Sequence, residues 1–178
     1  MPTTIHIPRP AADEHIPYYA KYIALAPGDD GLDAMRTTGE SLQRIVKGVS
    51  EKQALHRYAE GKWSVKEVLN HITDGERVFG YRALRFARAD LTPLPGFDEN
   101  AWVPFADSDR RPLSEIVEEL RAVRAASVAL FGSFDGEALT RRGEANGHPI
   151  SVRALAWIIA GHSRHHETLL RERYGLGG

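Results

Sequence analysis

The sequence predicts an all-α protein, an antiparallel four-helix bundle, from three observations. Four segments, beginning near residues 32, 65, 113 and 152, carry apolar residues at the three-and-four spacing of amphipathic helices. No long segment alternates apolar and polar residues as a convincing sheet would. The 178 residues contain no composition shift, repeat or low-complexity run. We therefore expect one domain over residues 1–178, with the helices burying their apolar faces against one another.

The amino-terminal part precedes the first long helix. Residues 1–16 contain three prolines and are expected to form an extended arm that lies on the body. A short helix is predicted over about 16–25, ended by Pro27 and Gly28, and the first long helix over about 32–49.

The second long helix opens with a capping signal. Ser64 and Glu67 have the spacing of a reciprocal capping box, and the apolar stripe continues to about residue 89. The third helix is predicted over about 113–131. The fourth, capped by Ser151, is predicted to run to about residue 174.

Two connections stand out. Residues 91–111, between the second and third helices, form a proline-rich loop that is too long for an idle connector. Long ordered loops often close over a site, so four residues of this loop are candidates to wall a pocket: Phe97, Asp98, Asn100 and Trp102. Trp102 could instead plug one end of the core. Asn146 and Gly147 could form the turn of a short hairpin.

The charge balance excludes several partners. The 23 basic and 24 acidic residues give a formal net charge of -1, so no overall field attracts nucleic acid or an anionic membrane. Arg82, Arg85 and Arg88 recur at helical spacing, and we interpret them as a solvated face. No apolar run of about 18 residues and no signal-like amino terminus occurs. We expect a cytoplasmic protein that acts on a small molecule.

The chain contains no cysteine. This excludes disulfides, thiolate metal ligands and a nucleophilic cysteine from the chain itself. Any thiol chemistry would have to use a thiol brought by a substrate.

The most informative motif is a pair of histidines, His162 and His166, within an apolar helical stripe that includes Ile159 and Leu169. A spacing of four places both imidazoles on one helix face. Two buried rings need partners, and a divalent cation accepts both neutral imidazoles at once. The alternatives are hydrogen-bonded core histidines or a solvated groove.

A third metal ligand must come from another helix, since one histidine pair supplies only two. His71, at the edge of the second helix's apolar stripe, is the candidate. Asp74 or Glu76 could orient its free ring nitrogen, although exposed helix charge is the alternative for both. His165 is rotated by about 100° from His166, so we expect it to support the site or face solvent.

Two glycines lie inside the same helical patterns, Gly75 one turn from His71 and Gly161 directly before His162. Glycine within a helix costs about 1 kcal/mol relative to alanine. Room for a ligand, or a close contact with another helix, would explain such positions.

Three separated segments resemble the DinB/YfiT-like superfamily: residues 62–72 (KWSVKEVLNHI), 94–98 (LPGFD) and 159–166 (IAGHSRHH). The similarity extends from about residue 18 to residue 174. The resemblance implies a four-helix bundle, a three-histidine site that holds zinc or nickel, and a homodimer. Its ligands fall on His71, His162 and His166, which the argument from helix stripes selects independently.

The activity has two candidate forms, because three neutral histidines leave coordination positions open for catalysis. Resemblance to bacillithiol and mycothiol transferases implies that a low-molecular-weight thiol is transferred to an electrophilic small molecule, which agrees with the absence of cysteine. The alternative is a metal-dependent hydrolase that uses a metal-bound water. No glutamate stands between His162 and His166, so peptidase activity is not expected and the catalytic general base is unknown.

A non-catalytic metal-binding or stress-related module is the third possibility. A fourth protein ligand that closes the site would favour this module, whereas an open position beneath a walled pocket would favour an enzyme.

Overall fold

The computed structural model describes residues 5–177, and most of these residues are helical. The helices are α1 (Pro17–Leu25), α2 (Gly31–Val46), α3 (Glu51–Ala54), α4 (Val65–Ala87), α5 (Glu99–Ala106), α6 (Leu113–Gly132), α7 (Gly136–Thr140) and α8 (Val152–Tyr174). Strands β1 (Arg142–Ala145) and β2 (His148–Ser151) form a hairpin, and single 3-10 turns occupy Ala12–Glu14 and Ser108–Arg110. Among these described helices, none has the length and apolar character needed to cross a membrane.

The long helices α2, α4, α6 and α8 form the bundle, which confirms the predicted fold class. Helix α8 packs against α2 and α4, and α6 packs against the same two helices. The order around the bundle is therefore α2, α8, α4, α6. Helices α2 and α4 are the first and second long helices in the sequence, yet they lie diagonally opposite each other in the bundle.

The apolar clusters show that α2 and α8 run in one direction along the bundle and that α4 and α6 run in the other. The first halves of α2 and α8 share one cluster with the second half of α4 and the end of α6. The opposite halves of the same helices form the other cluster. Because α4 and α6 run the same way, the connection over residues 88–112 must return along the length of the bundle, which explains why it is long.

The capping signals act as the sequence predicts. The backbone N–H of Glu67 donates to Ser64 Oγ (3.1 Å), and the backbone N–H of Ser64 donates to the Glu67 carboxylate (2.7 Å). The N–H of Ala154 donates to Ser151 Oγ (3.1 Å) at the start of α8. Gly175, with φ of 67°, ends α8 in the left-handed conformation.

The proline-rich connection is more regular than the predicted loop. It contains α5 and the 3-10 turn Ser108–Arg110. Asp98 is the N-cap of α5, since its carboxylate accepts hydrogen bonds from the N–H groups of Asn100 (2.9 Å) and Ala101 (3.1 Å). The sequence pattern does not reveal this helix because Pro104 lies inside it.

The structure contains the short hairpin that the sequence suggests near residue 146. Strands β1 and β2 pair antiparallel, from Arg142 opposite Ser151 to Ala145 opposite His148. Their turn uses Asn146–Gly147, as the sequence suggests, with φ of 53° and 74°. Only four residues pair on each side, which is too short for a clear alternation of polar and apolar residues.

The predicted amino-terminal arm is described from residue 5 onward, and its first four residues lie outside the described part. Ile7 is fully buried, and the carbonyls of Ile7 and Pro8 accept hydrogen bonds from Trp157 Nε1 (3.2 and 3.0 Å). Glu14, 3% exposed, binds the guanidinium of Arg153 (Nε to Oε2, 2.7 Å). These contacts attach the arm to α8.

A belt of polar side chains separates the two apolar clusters halfway along the bundle. Each long helix contributes buried polar residues at this level, and we call this set the polar belt: Thr38, Ser41, Thr73, Glu76, Arg124, Ser127, Ser163 and Glu167. The buried His162 and His166 lie at the same level of α8. The bundle therefore interrupts its apolar core where the predicted metal ligands stand.

Candidate metal centre

Three histidine side chains converge beside the polar belt, His71 from α4 and His162 and His166 from α8. The Nε2 atom of His162 lies 3.0 Å from Nε2 of His71 and 3.1 Å from Nε2 of His166. His162 and His166 are 8% and 7% exposed, and His71 is part-buried. Within residues 5–177, this is the one group of three or more metal-ligating side chains that could hold an ion.

The ionisation of these rings suits a cation. Burial lowers the pKa of His71 to about 4. Burial, together with the neighbouring histidines, lowers the pKa values of His162 and His166 well below their usual range. All three rings are therefore neutral near pH 7, which is the form that ligates a metal.

The donor set also suits a cation. A neutral Nε2 carries either one proton or one lone pair, so Nε2 of His162 cannot make a well-directed hydrogen bond to both of its neighbours. One divalent ion can accept lone pairs from all three nitrogens, and zinc and nickel both accept imidazole. The residues present thus fit the group that the sequence predicts.

The carboxylates proposed to orient His71 have other partners. Asp74 accepts a hydrogen bond from Asn70 Nδ2 (2.7 Å) and pairs with Arg77 (3.5 Å). Glu76 is 2% exposed, so its interpretation as exposed helix charge is wrong. It forms two hydrogen bonds of 2.8 Å with the guanidinium of Arg124.

Packing, rather than a carboxylate, orients the three rings within the described structure. Their centroids lie 4.6–4.9 Å apart in edge-to-face contact. Trp63 packs on His71 (4.8 Å), and Tyr22 packs on His162 (5.5 Å). His165 is half-buried and packs between Tyr22 and His166, so it borders the cluster without joining it.

The two helical glycines have different surroundings. A Cβ on Gly75 would lie 3.4 Å from Cε1 of His162, an ordinary van der Waals distance, so the imidazole does not require glycine at this position. A Cβ on Gly161 would lie 1.7 Å from the carbonyl oxygen of Tyr22, so α1 and α8 touch backbone to backbone there. Of the two explanations that the sequence suggests, the close helix contact applies at Gly161.

A cavity of about 500 Å³ opens above the histidines. Its walls are aromatic, and Arg82, Glu99, Asn146 and His165 add polar groups. The aromatic side chains come from α1, the α4 region and the connection before α5: Tyr18, Tyr19, Tyr22, Trp63, Phe79 and Phe97. The open side of the histidine cluster therefore faces a space that could hold a small molecule.

Of the four predicted pocket residues, Asp98, Asn100 and Trp102 do not line this cavity. Asp98 is exposed and caps α5. Trp102 packs on Phe97 with 4.8 Å between ring centroids and borders a second cavity of about 430 Å³, which Phe97 also lines. Phe97, the fourth predicted residue, does line the histidine cavity, as does Glu99.

Sequence reasoning does not identify two contributors to the cavity. The tyrosines of α1 have the spacing of one helix face at positions 18 and 22, which is an available signal. The interpretation of Arg82 as part of a solvated face is wrong, because Arg82 is 4% exposed and lines the cavity. Arg88 does face solvent, and Arg85 is paired with Asp90.

Fold and site together define a helical bundle with a three-histidine cluster beneath an aromatic cavity. The profile of the DinB superfamily matches residues 34–169, and the chain belongs to this superfamily.

The relatives carry related descriptions. A "Putative metal-dependent hydrolase" of Oceanobacillus iheyensis is 26% identical over 138 residues, which is 76% of this chain and 78% of the relative. One of the same description from Geobacillus kaustophilus is 26% identical over 147 residues, covering 80% and 83%.

Among solved structures, YfiT from Bacillus subtilis matches with a TM-score of 0.71 and 21% identity over 94% of each chain. That protein is described as a probable metal-dependent hydrolase with an unusual four-helix bundle topology. The likeness establishes the shared fold.

Proposed function

We propose that this protein is a divalent-metal-dependent enzyme that transfers a low-molecular-weight thiol to an electrophilic small molecule. The composition of the ligand cluster carries this proposal: it contains three histidines and, within the described chain, no carboxylate. A water nucleophile usually benefits from a neighbouring base. A thiol ionises near pH ~8.5, far below water at about 15.7, so it has less need of one.

Zinc or nickel held by His71, His162 and His166 would supply Lewis acidity, which favours ionisation of a thiol or water. The chain's own residues bind the substrates and exclude solvent, because the cavity walls are largely aromatic. Burial raises the pKa of the Tyr22 hydroxyl, so this group stays protonated and is available as a hydrogen-bond donor.

The proposed reaction is a substitution. A sulfur–carbon bond forms between the thiol and the electrophile, and the leaving group departs with its bonding electrons. The thiol proton passes to solvent.

Hydrolysis is the second candidate, and the descriptions of the relatives favour it. Water would then replace the thiol and the same three histidines would serve. The open cavity favours either enzyme over the non-catalytic module, because the described cluster includes no fourth protein ligand that would close the site.

Metal content is the first test. The protein is purified without an affinity tag or added metal and analysed for elements beside His71→Ala, His162→Ala and His148→Ala. His148 is an exposed histidine in β2 and serves as the control. We expect about one equivalent of zinc or nickel in the parent and the control, and little in the other two. Metal retained in both site variants would refute the three-histidine assignment.

The nucleophile is tested on the zinc-loaded and nickel-loaded proteins. Monochlorobimane is offered with cysteine or glutathione, and p-nitrophenyl acetate is offered without thiol. Thiol transfer predicts metal-dependent bimane conjugation that His162→Ala abolishes. Metal-dependent ester cleavage without conjugation would instead support the hydrolase, and neither activity would favour the binding module.

A further inference from the structure

Arg82 differs from the other buried basic side chains of the described chain. Lys66 pairs with Glu51 (2.6 Å), and Arg124 pairs with Glu76 (2.8 Å). Arg82 is equally buried, at 4% exposure, yet within residues 5–177 no carboxylate oxygen lies within 4.0 Å of it. A buried guanidinium without a counter-charge is unfavourable, so its retention calls for an explanation.

The contacts of Arg82 leave most of its donors available. Nη2 donates one hydrogen bond to the carbonyl oxygen of Pro95 (2.9 Å), and the guanidinium carbon lies 5.8 Å from the centre of the Phe97 ring. Burial lowers its pKa, and the nearby Tyr19 hydroxyl opposes that shift only in part. A guanidinium has five N–H donors, so an anion could still be bound by two of them.

The position of Arg82 relates it to the metal ligands. It stands eleven residues after His71 on α4, which is close to three full turns and about 16 Å along the helix axis. Both side chains therefore leave the same face of the helix. Phe79 lies between them on that face and contacts the rings of His162 and Tyr19.

The acidic and basic groups of the cavity are separate. Glu99 is close enough to His71 to oppose, in part, the fall in that histidine's pKa that burial causes. Glu99 forms no ion pair with Arg82 within the described structure. In the metal-free protein, an anion in the cavity would be attracted toward Arg82 and repelled by Glu99.

We propose that Arg82 binds a carboxylate of the small molecule that enters the cavity. The substrate class is then an apolar or aromatic carboxylate, held so that its other end faces the three histidines. This inference rests on the proposed function only in calling the bound carboxylate a substrate, because the anion site itself needs no metal. The carboxylate belongs either to the thiol or to the electrophile, and binding of the two can be compared separately.

The first measurement uses benzoate and its neutral isostere benzamide as probes of the chelator-treated protein. The Nε–H signal of Arg82 is followed by ¹⁵N NMR while each probe is titrated. We expect benzoate to shift this signal and to bind at least about tenfold more tightly than benzamide, as a charge-assisted hydrogen bond requires. Equal binding of the two probes, or an Arg82 signal that does not respond to benzoate, would overturn the proposal.

Variants complete the test. Arg82→Gln should lose at least about tenfold in benzoate affinity while benzamide binding is unchanged, and Arg82→Lys should retain part of it. Arg88→Gln is the matched control, because Arg88 is an exposed arginine at the end of α4 that forms no ion pair among the described residues. If Arg82→Gln does not fold, Arg82→Lys and the NMR titration of the parent still decide. Undiminished benzoate binding in a folded Arg82→Gln would show that Arg82 only fastens the loop at Pro95.

Two further arms separate this proposal from the proposed function. Repeating the titration with zinc-loaded protein shows whether the anion site persists beside the metal. Carboxylate-bearing cysteine is then compared with cysteamine, which lacks the carboxylate, in the parent and in Arg82→Gln. A preference for cysteine that disappears in the variant assigns the carboxylate to the thiol, and no preference assigns it to the electrophile. Benzoate binding without catalysis would leave the anion site standing while the enzyme proposal fails.

Discussion

Arg124 holds the polar belt together from the centre of α6. Its guanidinium binds Glu76, and it also donates to Ser163 Oγ (2.7 Å) and Thr38 Oγ1 (3.2 Å). These bonds join all four long helices at one level, because the four residues come from α6, α4, α8 and α2. Buried charges of this kind contribute little net stability as a pair but destabilise strongly when one partner is removed.

Arg124→Ala is therefore expected to lower the free energy of unfolding by about 3 kcal/mol or more, since it leaves the Glu76 carboxylate buried without a counter-charge. Urea unfolding followed by circular dichroism measures the change. Arg121→Ala is the control on the same helix, because its pair with Glu118 is exposed and should contribute almost nothing. An equal effect of the two substitutions would contradict this account.

The histidines make stability depend on pH. Their pKa values are lowered in the folded protein, to about 4 for His71, so the metal-free unfolded chain binds protons below pH ~6.5 that the folded chain does not. The free energy of unfolding should thus fall as the pH is lowered from about 6.5 toward 4, by up to about 1.4 kcal/mol per pH unit for each histidine. Above about pH 7 the rings are neutral in both states, so they no longer make stability change with pH.

Urea unfolding of chelator-treated protein at several pH values measures this slope. His162→Gln should reduce it between about pH 6.5 and 5, where few carboxylates titrate. A free energy of unfolding that stays constant over this range would contradict the buried, neutral state of the three rings.

At the level of single residues, the sequence predicts what a helical stripe can encode. The convergence of His71, His162 and His166 is predictable because these polar residues interrupt apolar faces. The same reasoning does not predict the roles of Asp98 and Arg82. The role of Asp98 depends on α5, which the sequence pattern does not reveal. The burial of Arg82 depends on which parts of the chain cover one side of α4. Both depend on tertiary packing, which helical periodicity does not contain.

The glycines provide a test at the level of helices. Gly80 lies inside α4, and a Cβ added there would have no atom within 4 Å beyond the backbone of its own helix, whereas a Cβ on Gly161 meets the backbone of α1. Gly80→Ala should raise the free energy of unfolding by up to about 1 kcal/mol, because alanine favours the helix. Gly161→Ala should lower it by about 1–3 kcal/mol or more, because overpacking must displace α1.

Thermal and urea unfolding of the two variants measure this contrast directly. Gly161→Ala should also weaken metal binding, since α1 positions Tyr22 against His162. Equal stabilisation by both substitutions would contradict this prediction, because it would mean that α1 can move away from α8 at no cost in free energy.

The predictability of elements follows their length. The four long helices repeat their apolar pattern over several turns, and Ser64 and Ser151 mark two starts, so the sequence predicts all four within a few residues. Helix α5 has eight residues, and each strand of the hairpin has four. Local patterns that short do not distinguish helix, strand and loop.

At the level of the whole molecule, the homodimer implied by the family resemblance remains a prediction. Helix α5 presents Phe105 (90% exposed) and Trp102 (42% exposed) to solvent, and exposed aromatics of this size are typical of contact surfaces. We expect sedimentation equilibrium to give about twice the chain mass of 19.8 kDa. Phe105→Ser should weaken association without loss of helicity, and a parent that sediments as a monomer would refute the prediction.

The fold class is predictable from the sequence, but the order and direction of the helices are not. Nothing in the apolar pattern requires α4 and α6 to run the same way. The one hint is the length of the connection over residues 88–112. In the sequence alone, this length indicates a loop over a site, but the connection must also span the length of the bundle.

The contact between Gly161 and the Tyr22 carbonyl would couple the two proposed binding events, of a metal and of a small molecule. Helix α1 supplies tyrosines to the cavity wall, and its backbone rests on α8 one residue before His162. A small molecule that shifts α1 must therefore change the placement of His162, and a metal that fixes His162 must change how readily α1 shifts. By thermodynamic reciprocity, each of the two proposed ligands would alter the affinity for the other by the same factor.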